Sequence, residues 1–268
     1  MQQLLGLGPV ADAARYHLAT GGRRIRAGIA QAAGAALDID ADAVLASAVA
    51  VELLHNASLI HDDLQDGDRS RRHQPTVWAC FGEKSAILAG DLMISAAYAA
   101  LARHPHPAAA LVVTHDAVAT TIRGQADDLA TSEASAAQAR FDEYLHIATT
   151  KSGPLLALPM RLVLLAAGIS GDAEAARAGN FLASAYQLLD DLADREQDRE
   201  RGVLNGCFIL EGEGRSKDEA AALALSHARR SLTLACAAAK NLPAGVGQVY
   251  LALADRLLAP FPEAVHVR

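Results

Sequence analysis

Two aspartate clusters of identical spacing, Asp62-Asp63-Leu64-Gln65-Asp66 and Asp190-Asp191-Leu192-Ala193-Asp194, interrupt apolar runs that otherwise read as buried helix. Residues 53–60 lead into the first and 181–189 into the second. On a helix, residues four apart share a face, so Asp62 aligns with Asp66 and Asp190 with Asp194. Like charges at that spacing repel, and carboxylates beside an apolar interior need a positive partner. Hard oxygen ligands in this number suit Mg²⁺, which binds through a few carboxylates, water and substrate phosphates. The pattern therefore predicts two long helices delivering carboxylates to a diphosphate.

The ridge of the first helix continues through His55, Ser58, Asp62 and Asp66, and that of the second through Gln187, Asp190 and Asp194. Basic groups complement them. Gly21-Gly22-Arg23-Arg24-Ile25-Arg26 sets three guanidiniums after a glycine pair, Arg71-Arg72 follow the first cluster, and Lys151 precedes Ser152-Gly153-Pro154. The planar arginine fork suits phosphate oxygens, and lysine adds a point charge. Together these groups specify one diphosphate bridged by metal and a second held by arginines.

A chain of 268 residues, 51% apolar but only 4% aromatic, can bury one substantial core of tightly packed helices. The pattern predicts an all-α, single-domain protein over residues 1–268. Helices are expected from Pro9 to the Gly21-Gly22 pair, from Ala41 (capped by Asp40) to the first cluster, and over 85–103, 107–129, 136–151 and 154–167. Others are expected over 172–201, 216–240 and 244–258, with a basic loop at 68–75 and no strands. A net charge of −7 argues against nucleic acid as a partner. Cys80, Cys207 and Cys236 are scattered, which fits a reducing cytoplasm. No signal peptide and no transmembrane segment are expected.

In family order, these motifs resemble those of the trans-isoprenyl diphosphate synthases, or polyprenyl synthetases. Residues 21–27 are similar to the family's Gly-Gly-Lys-Arg-x-Arg-Pro segment, with Arg23 for lysine and Ala27 for proline. His55 to Leu59, Arg71-Arg72 with Pro75-Thr76-Val77, Phe81-Gly82-Glu83, Ala89-Gly90-Asp91, residues 124–129, Lys151 and residues 187–194 follow. The resemblance implies an isoprenoid-synthase-type helical bundle around a central cavity, with the aspartate motifs facing each other across its mouth, and a homodimer. It also implies condensation of isopentenyl diphosphate with an allylic diphosphate. Asp62, Asp66 and Asp190 would bind three Mg²⁺, supported by Asp63 and Asp194. Arg71, Lys151 and Gln187 would bind the allylic diphosphate, and Arg23, Arg26, His55 and Arg72 isopentenyl diphosphate.

The family's Gly-Lys pair and Lys-Thr after the second motif are missing between Arg195 and Leu210, where Arg199 or Arg201 could substitute electrostatically. A catalytically weak or silent partner subunit is therefore the alternative. A second rival is a ferritin-like di-iron protein, since Glu52-Leu53-Leu54-His55 and Glu143-Tyr144-Leu145-His146 are Glu-x-x-His patterns. That rival leaves both aspartate clusters unexplained. Ala57 and Ser58, five and four residues before Asp62, are small where the family's bulky aromatics stop growth at C15. The expected product is therefore C20 geranylgeranyl diphosphate, with a floor from the helix bearing Met93, Ile94 and Tyr98.

Overall fold

A computed structural model of the chain describes residues 1–133 and 140–261. Twelve α-helices carry the described residues: α1 (Pro9–Ala19), α2 (Ile25–Ala36), α3 (Ala41–Gln65), α4 (Val77–Phe81), α5 (Glu83–Leu101), α6 (Pro107–Glu133), α7 (Phe141–Ala166), α8 (Asp172–Ala193), α9 (Arg195–Arg201), α10 (Gly206–Gly212), α11 (Lys217–Lys240) and α12 (Gln248–Leu258). The protein is all-α, as expected. Its contacts divide it into two compact units, one of Met1–Thr114 with Leu162–Ile169 and one of His115–Arg161 with Ser170 onward.

In the first unit α3 lies along α5 and α2, and α1 packs on α5. Asp40 opens α3 as expected, its carboxylate accepting from the amides of Asp42 and Ala43 at 3.0 and 3.2 Å. Alanine is the commonest buried residue on α3 and α5, with Ala46, Ala50 and Ala57 on α3 and Ala86, Ala89, Ala96 and Ala97 on α5. Small side chains let backbones approach, and Gly90 of α5 has the His61 ring where a Cβ would stand. Both helices are long and apolar enough to cross a membrane by length and composition, with mean hydropathy 1.6 and 1.2. The apolar window of α3 is 67% buried and the helix ends in carboxylates, which marks it as a core helix.

In the second unit α8 packs chiefly on α11, and α12 covers both. Ser216 and Glu219 form a reciprocal capping box that starts α11. Three glycines set the helix spacings. A Cβ on Gly124 would strike the Lys151 backbone, on Gly153 the Asn180 side chain, and on Gly179 Ala157.

Several boundaries differ from expectation. The segment 68–75 is not an open loop but a hairpin of β1 (Ser70–Arg71) and β2 (Gln74–Pro75). The break expected between 151 and 154 does not occur, because Gly153 serves close approach to Asn180 rather than a turn; α7 runs through Pro154 and Pro159. Of the helix expected from 136, residues 136–139 lie outside the described residues. The helix expected over 172–201 stops at Ala193. The Asp191 carbonyl accepts from Asn205 Nδ2 at 2.9 Å, in place of an amide one turn further on, and the chain restarts as α9.

Overpacking a helix crossing costs about 1–3 kcal/mol. Gly124→Ala should therefore lower the thermal midpoint by about 3–10 °C on a circular-dichroism melt. An unchanged midpoint would show that α6 can move off α7 without loss.

Candidate active site

Both aspartate clusters end a long helix in the same way. The Asp66 amide donates to the Asp62 carbonyl at 2.8 Å, and the Asp194 amide to the Asp190 carbonyl at 2.9 Å, so each outer pair keeps the one-turn spacing read from the sequence. The helix C-terminus already carries partial negative charge, so carboxylates there are poorly placed without a cation. In each cluster the middle residue turns inward. Asp63 and Asp191 are 1% and 3% exposed, whereas Asp66, Asp190 and Asp194 are exposed and Asp62 is half-buried.

Asp63 is held by Arg71, whose Nε donates to Oδ1 at 2.6 Å, and burial raises its pKa above the usual carboxylate value. That ion pair anchors the hairpin. Trp78 Nε1 and Thr76 Oγ1 donate to the Asp68 carbonyl at 2.7 and 2.8 Å, and the Tyr16 hydroxyl to Pro75 O at 2.8 Å. The two turn residues, Arg72 and His73, both have positive φ (53° and 62°), as a type I′ turn requires. Non-glycine residues there cost about 1–2 kcal/mol each. Arg72 is held by the Gly21 carbonyl, and a Cβ on Gly22 would meet its guanidinium at 2.9 Å.

Glu52 organises the Gly21-to-Ala27 segment. It is 3% exposed and accepts from Arg24 Nη1 at 3.3 Å and from the Ala27 amide at 3.0 Å. Proline at position 27 would lack that N–H, so the departure from the family's proline has a structural use. Both Glu52 oxygens are engaged as anchors, which removes Glu52 from the di-iron reading.

Around this anchor the arginines converge on two histidines. His55 is pushed well below its ordinary pKa by burial, then by Arg26, Arg72 and Arg71. His17, 3% exposed, is pushed down to about 4 by burial, then by Arg71 and Arg72. The first unit thus gathers guanidiniums beside two neutral imidazoles, a field suited to an anion.

In the second unit Asp191 accepts from the Tyr144 hydroxyl at 2.6 Å, Gln187 Nε2 at 2.9 Å and the Gly206 amide at 3.0 Å. Burial raises its pKa to about 6 against those hydrogen bonds, which favour the carboxylate. Lys151 pairs with Asp128 at 2.7 Å. Arg199 lies over the Phe208 ring and binds Glu211 at 2.8 Å, so its charge is already committed rather than held for a missing lysine. The Arg201 side chain lies outside the described residues. Ala57 is buried, and Ser58 Oγ donates to its own helix at His55 O. Arg23 is exposed and Arg26 half-buried.

Glu52, Asp128, Tyr144, Asp191 and Asn205 are the residues whose work the sequence reading missed. Asp128 lies in the 124–129 segment and Asp191 in the second aspartate cluster, which is their only signal in the sequence. Among the described residues no three His, Cys, Asp or Glu side chains form a ready metal cage. Mg²⁺ requires none, since it completes its shell with water and phosphate. Two carboxylates one turn apart at a helix C-terminus, twice over, fit that demand.

The polyprenyl synthetase family model matches residues 9–202. The chain belongs to that family. It is 41% identical over 175 residues to a (2E,6E)-farnesyl diphosphate synthase of Mycobacterium tuberculosis, covering 64% of this chain and 48% of that protein. It is 32% identical over 207 residues to a geranylgeranyl diphosphate synthase of Methanosarcina mazei, covering 75% and 63%. The chain thus spans about half to under two-thirds of these curated relatives. Among solved structures it resembles a geranylgeranyl pyrophosphate synthetase from the archaeon Geoglobus acetivorans, with TM-score 0.86, 25% identity, and 96% and 95% coverage. The fold is therefore of the isoprenoid-synthase type.

His17 supplies a pH test. Its pKa is depressed to about 4 when folded and stands near 6.5 when unfolded. The folded state binds fewer protons between those values, so stability is full above pH ~6.5 and falls as the pH drops towards 4, by up to about 3 kcal/mol. Urea unfolding at pH 7 and 5 should show that loss, and His17→Gln should reduce it. An equal loss in the variant would remove His17 as its source.

Proposed function

We propose that this protein condenses isopentenyl diphosphate with an allylic diphosphate to give a longer trans-prenyl diphosphate, with Mg²⁺ as cofactor. The observation that carries this is the pair of aspartate clusters of identical spacing, each setting two carboxylates one turn apart at a helix C-terminus, against the local dipole. The arginine field around His55 supports the reading, because it suits a second diphosphate. The family model crosses both units, which supports one polyprenyl synthetase domain over residues 1–268.

Asp62 and Asp66, with Asp190 and Asp194, would hold Mg²⁺, which when bound neutralises the departing diphosphate. Asp63 would act in support through Arg71. Arg71 keeps its two Nη groups for the allylic diphosphate while its Nε holds Asp63. Lys151, oriented by Asp128, adds a point charge for the same substrate. Arg23, Arg26, Arg72 and the neutral His55 would receive isopentenyl diphosphate. These groups stabilise charge as the allylic C–O bond ionises and hold the cation against the isopentenyl double bond. Loss of a proton to released diphosphate then leaves an allylic diphosphate one C5 unit longer.

A homodimer is supported by Ile87 and Leu88 on α5 and Val112 on α6, large apolar side chains 48%, 52% and 60% exposed. The three cysteines are free thiols, which supports the cytoplasm as its place.

Asp62→Ala and Asp190→Ala should each lower turnover about 100-fold or more while the thermal midpoint stays near wild type, since neither side chain is core. Near-wild-type turnover in both would sink the metal assignment.

Product length rests on α3. A chain growing from Asp62 passes Ser58 and Ala57, both small, with α5 and its buried Met93 packed alongside. The expected product is C20. Ala57→Phe with Ser58→Phe should shorten it to C15 or less on product sizing by mass spectrometry; an unchanged distribution from the folded, active variant would show another path.

A further inference from the structure

The hydrogen bonds around Asp191 decide which end of Gln187 is available to a ligand. An ionised carboxylate only accepts, and a phenol has one proton to give. Tyr144 gives its proton to Asp191 Oδ2 at 2.6 Å, so the phenol oxygen can only accept. It accepts from Gln187 Nε2 at 3.1 Å, and the same Nε2 donates to Asp191 Oδ1 at 2.9 Å. Both amide protons of Gln187 are thereby engaged. Flipping the amide would set its carbonyl against Asp191 Oδ1 with no proton between them, so the orientation follows from the chemistry of the partners.

The network is rigid on its other side. The Gly206 amide donates to Asp191 Oδ2 at 3.0 Å, and a Cβ on Gly206 would meet that oxygen and the Tyr144 ring, each at 3.0 Å. Asn205, fully buried, donates to the Asp191 carbonyl and to Asp198 Oδ2, both at 2.9 Å. Gln187 is thus oriented before any substrate arrives.

We propose that Tyr144 and Asp191 are positioning residues that fix Gln187 as a hydrogen-bond acceptor, so that Gln187 addresses a hydrated Mg²⁺ at the second aspartate cluster and not the oxygens of the allylic diphosphate. A phosphate oxygen needs a donor, and Gln187 has none left to offer. Its carbonyl suits the protons of a hydrated cation. This refines the site assignment and rests on the Mg²⁺–diphosphate reading above.

Two measurements test it. In ¹⁵N-labelled protein without ligand, the Gln187 side-chain amide protons should exchange at least about tenfold more slowly than those of exposed glutamines. Tyr144→Phe, which removes the acceptor of one of the two amide protons, should reduce that protection. Exchange in wild type as fast as at the surface would overturn the proposal.

Calorimetric titration with Mg²⁺ and inorganic diphosphate is the second. Tyr144→Phe and Gln187→Leu should each raise the half-saturating Mg²⁺ roughly three- to tenfold. Diphosphate affinity at saturating Mg²⁺ should be unchanged within about twofold, and the double variant no worse than either alone. Weakened diphosphate binding with unchanged Mg²⁺ demand would overturn the proposal. If Tyr144→Phe does not fold, Gln187→Leu still gives that split. A wild type that binds no Mg²⁺–diphosphate would overturn the proposed function and this inference together, whereas normal wild-type binding with unaltered variants overturns this inference alone.

Discussion

A buried carboxylate needs donors close by, and in this protein that need organises the neighbourhood of each acidic cluster, through both oxygens at Asp191 and through Oδ1 at Asp63. Asp63 draws Arg71 inward and so fixes the hairpin that follows the first cluster. Asp191 draws in Tyr144, Gln187 and Gly206, and so fixes the turn that follows the second. In both cases the outer aspartates remain at the helix end while the middle one is tied into the fold. A repeated five-residue pattern thus does two physically different things at once.

The same logic explains the basic residues. Arginines cannot be gathered cheaply, because each guanidinium repels the next. Glu52 and Asp63 offset part of that repulsion from inside the fold, and the imidazoles of His17 and His55 avoid adding to it by staying neutral. The strained hairpin turn at Arg72 and His73 belongs to this arrangement, since its cost is met by the bonds from Tyr16, Thr76 and Trp78 that hold it. Such local strain persists only where surrounding structure overdetermines it.

Much of this was legible in the sequence where periodicity and capping speak plainly. Asp40 announced α3, Pro9 announced α1, and the two ridges of aspartates keep the spacing their sequence implies. The errors came where one residue type has two uses. Gly153 read as a turn signal but is a contact surface for Asn180. Asp194 read as mid-helix, yet the helix ends there because Asn205 Nδ2, fourteen residues beyond Asp191, donates to the Asp191 carbonyl. Side-chain bonds across such distances leave no periodic trace. That is also why Glu52 passed for half of an iron motif rather than a backbone anchor.

The alanine-lined seams of α3 and α5, and of α8 against α11, bear on how this protein can change over time. Where two helices meet through methyl groups, shrinking a residue removes little, because alanine has only a methyl to lose. Enlarging one forces the whole crossing apart. Tolerance of substitution is therefore one-sided at those alanine contacts. At those seams only glycine, serine and alanine fit without moving a helix, so larger side chains belong to positions that face solvent or a ligand.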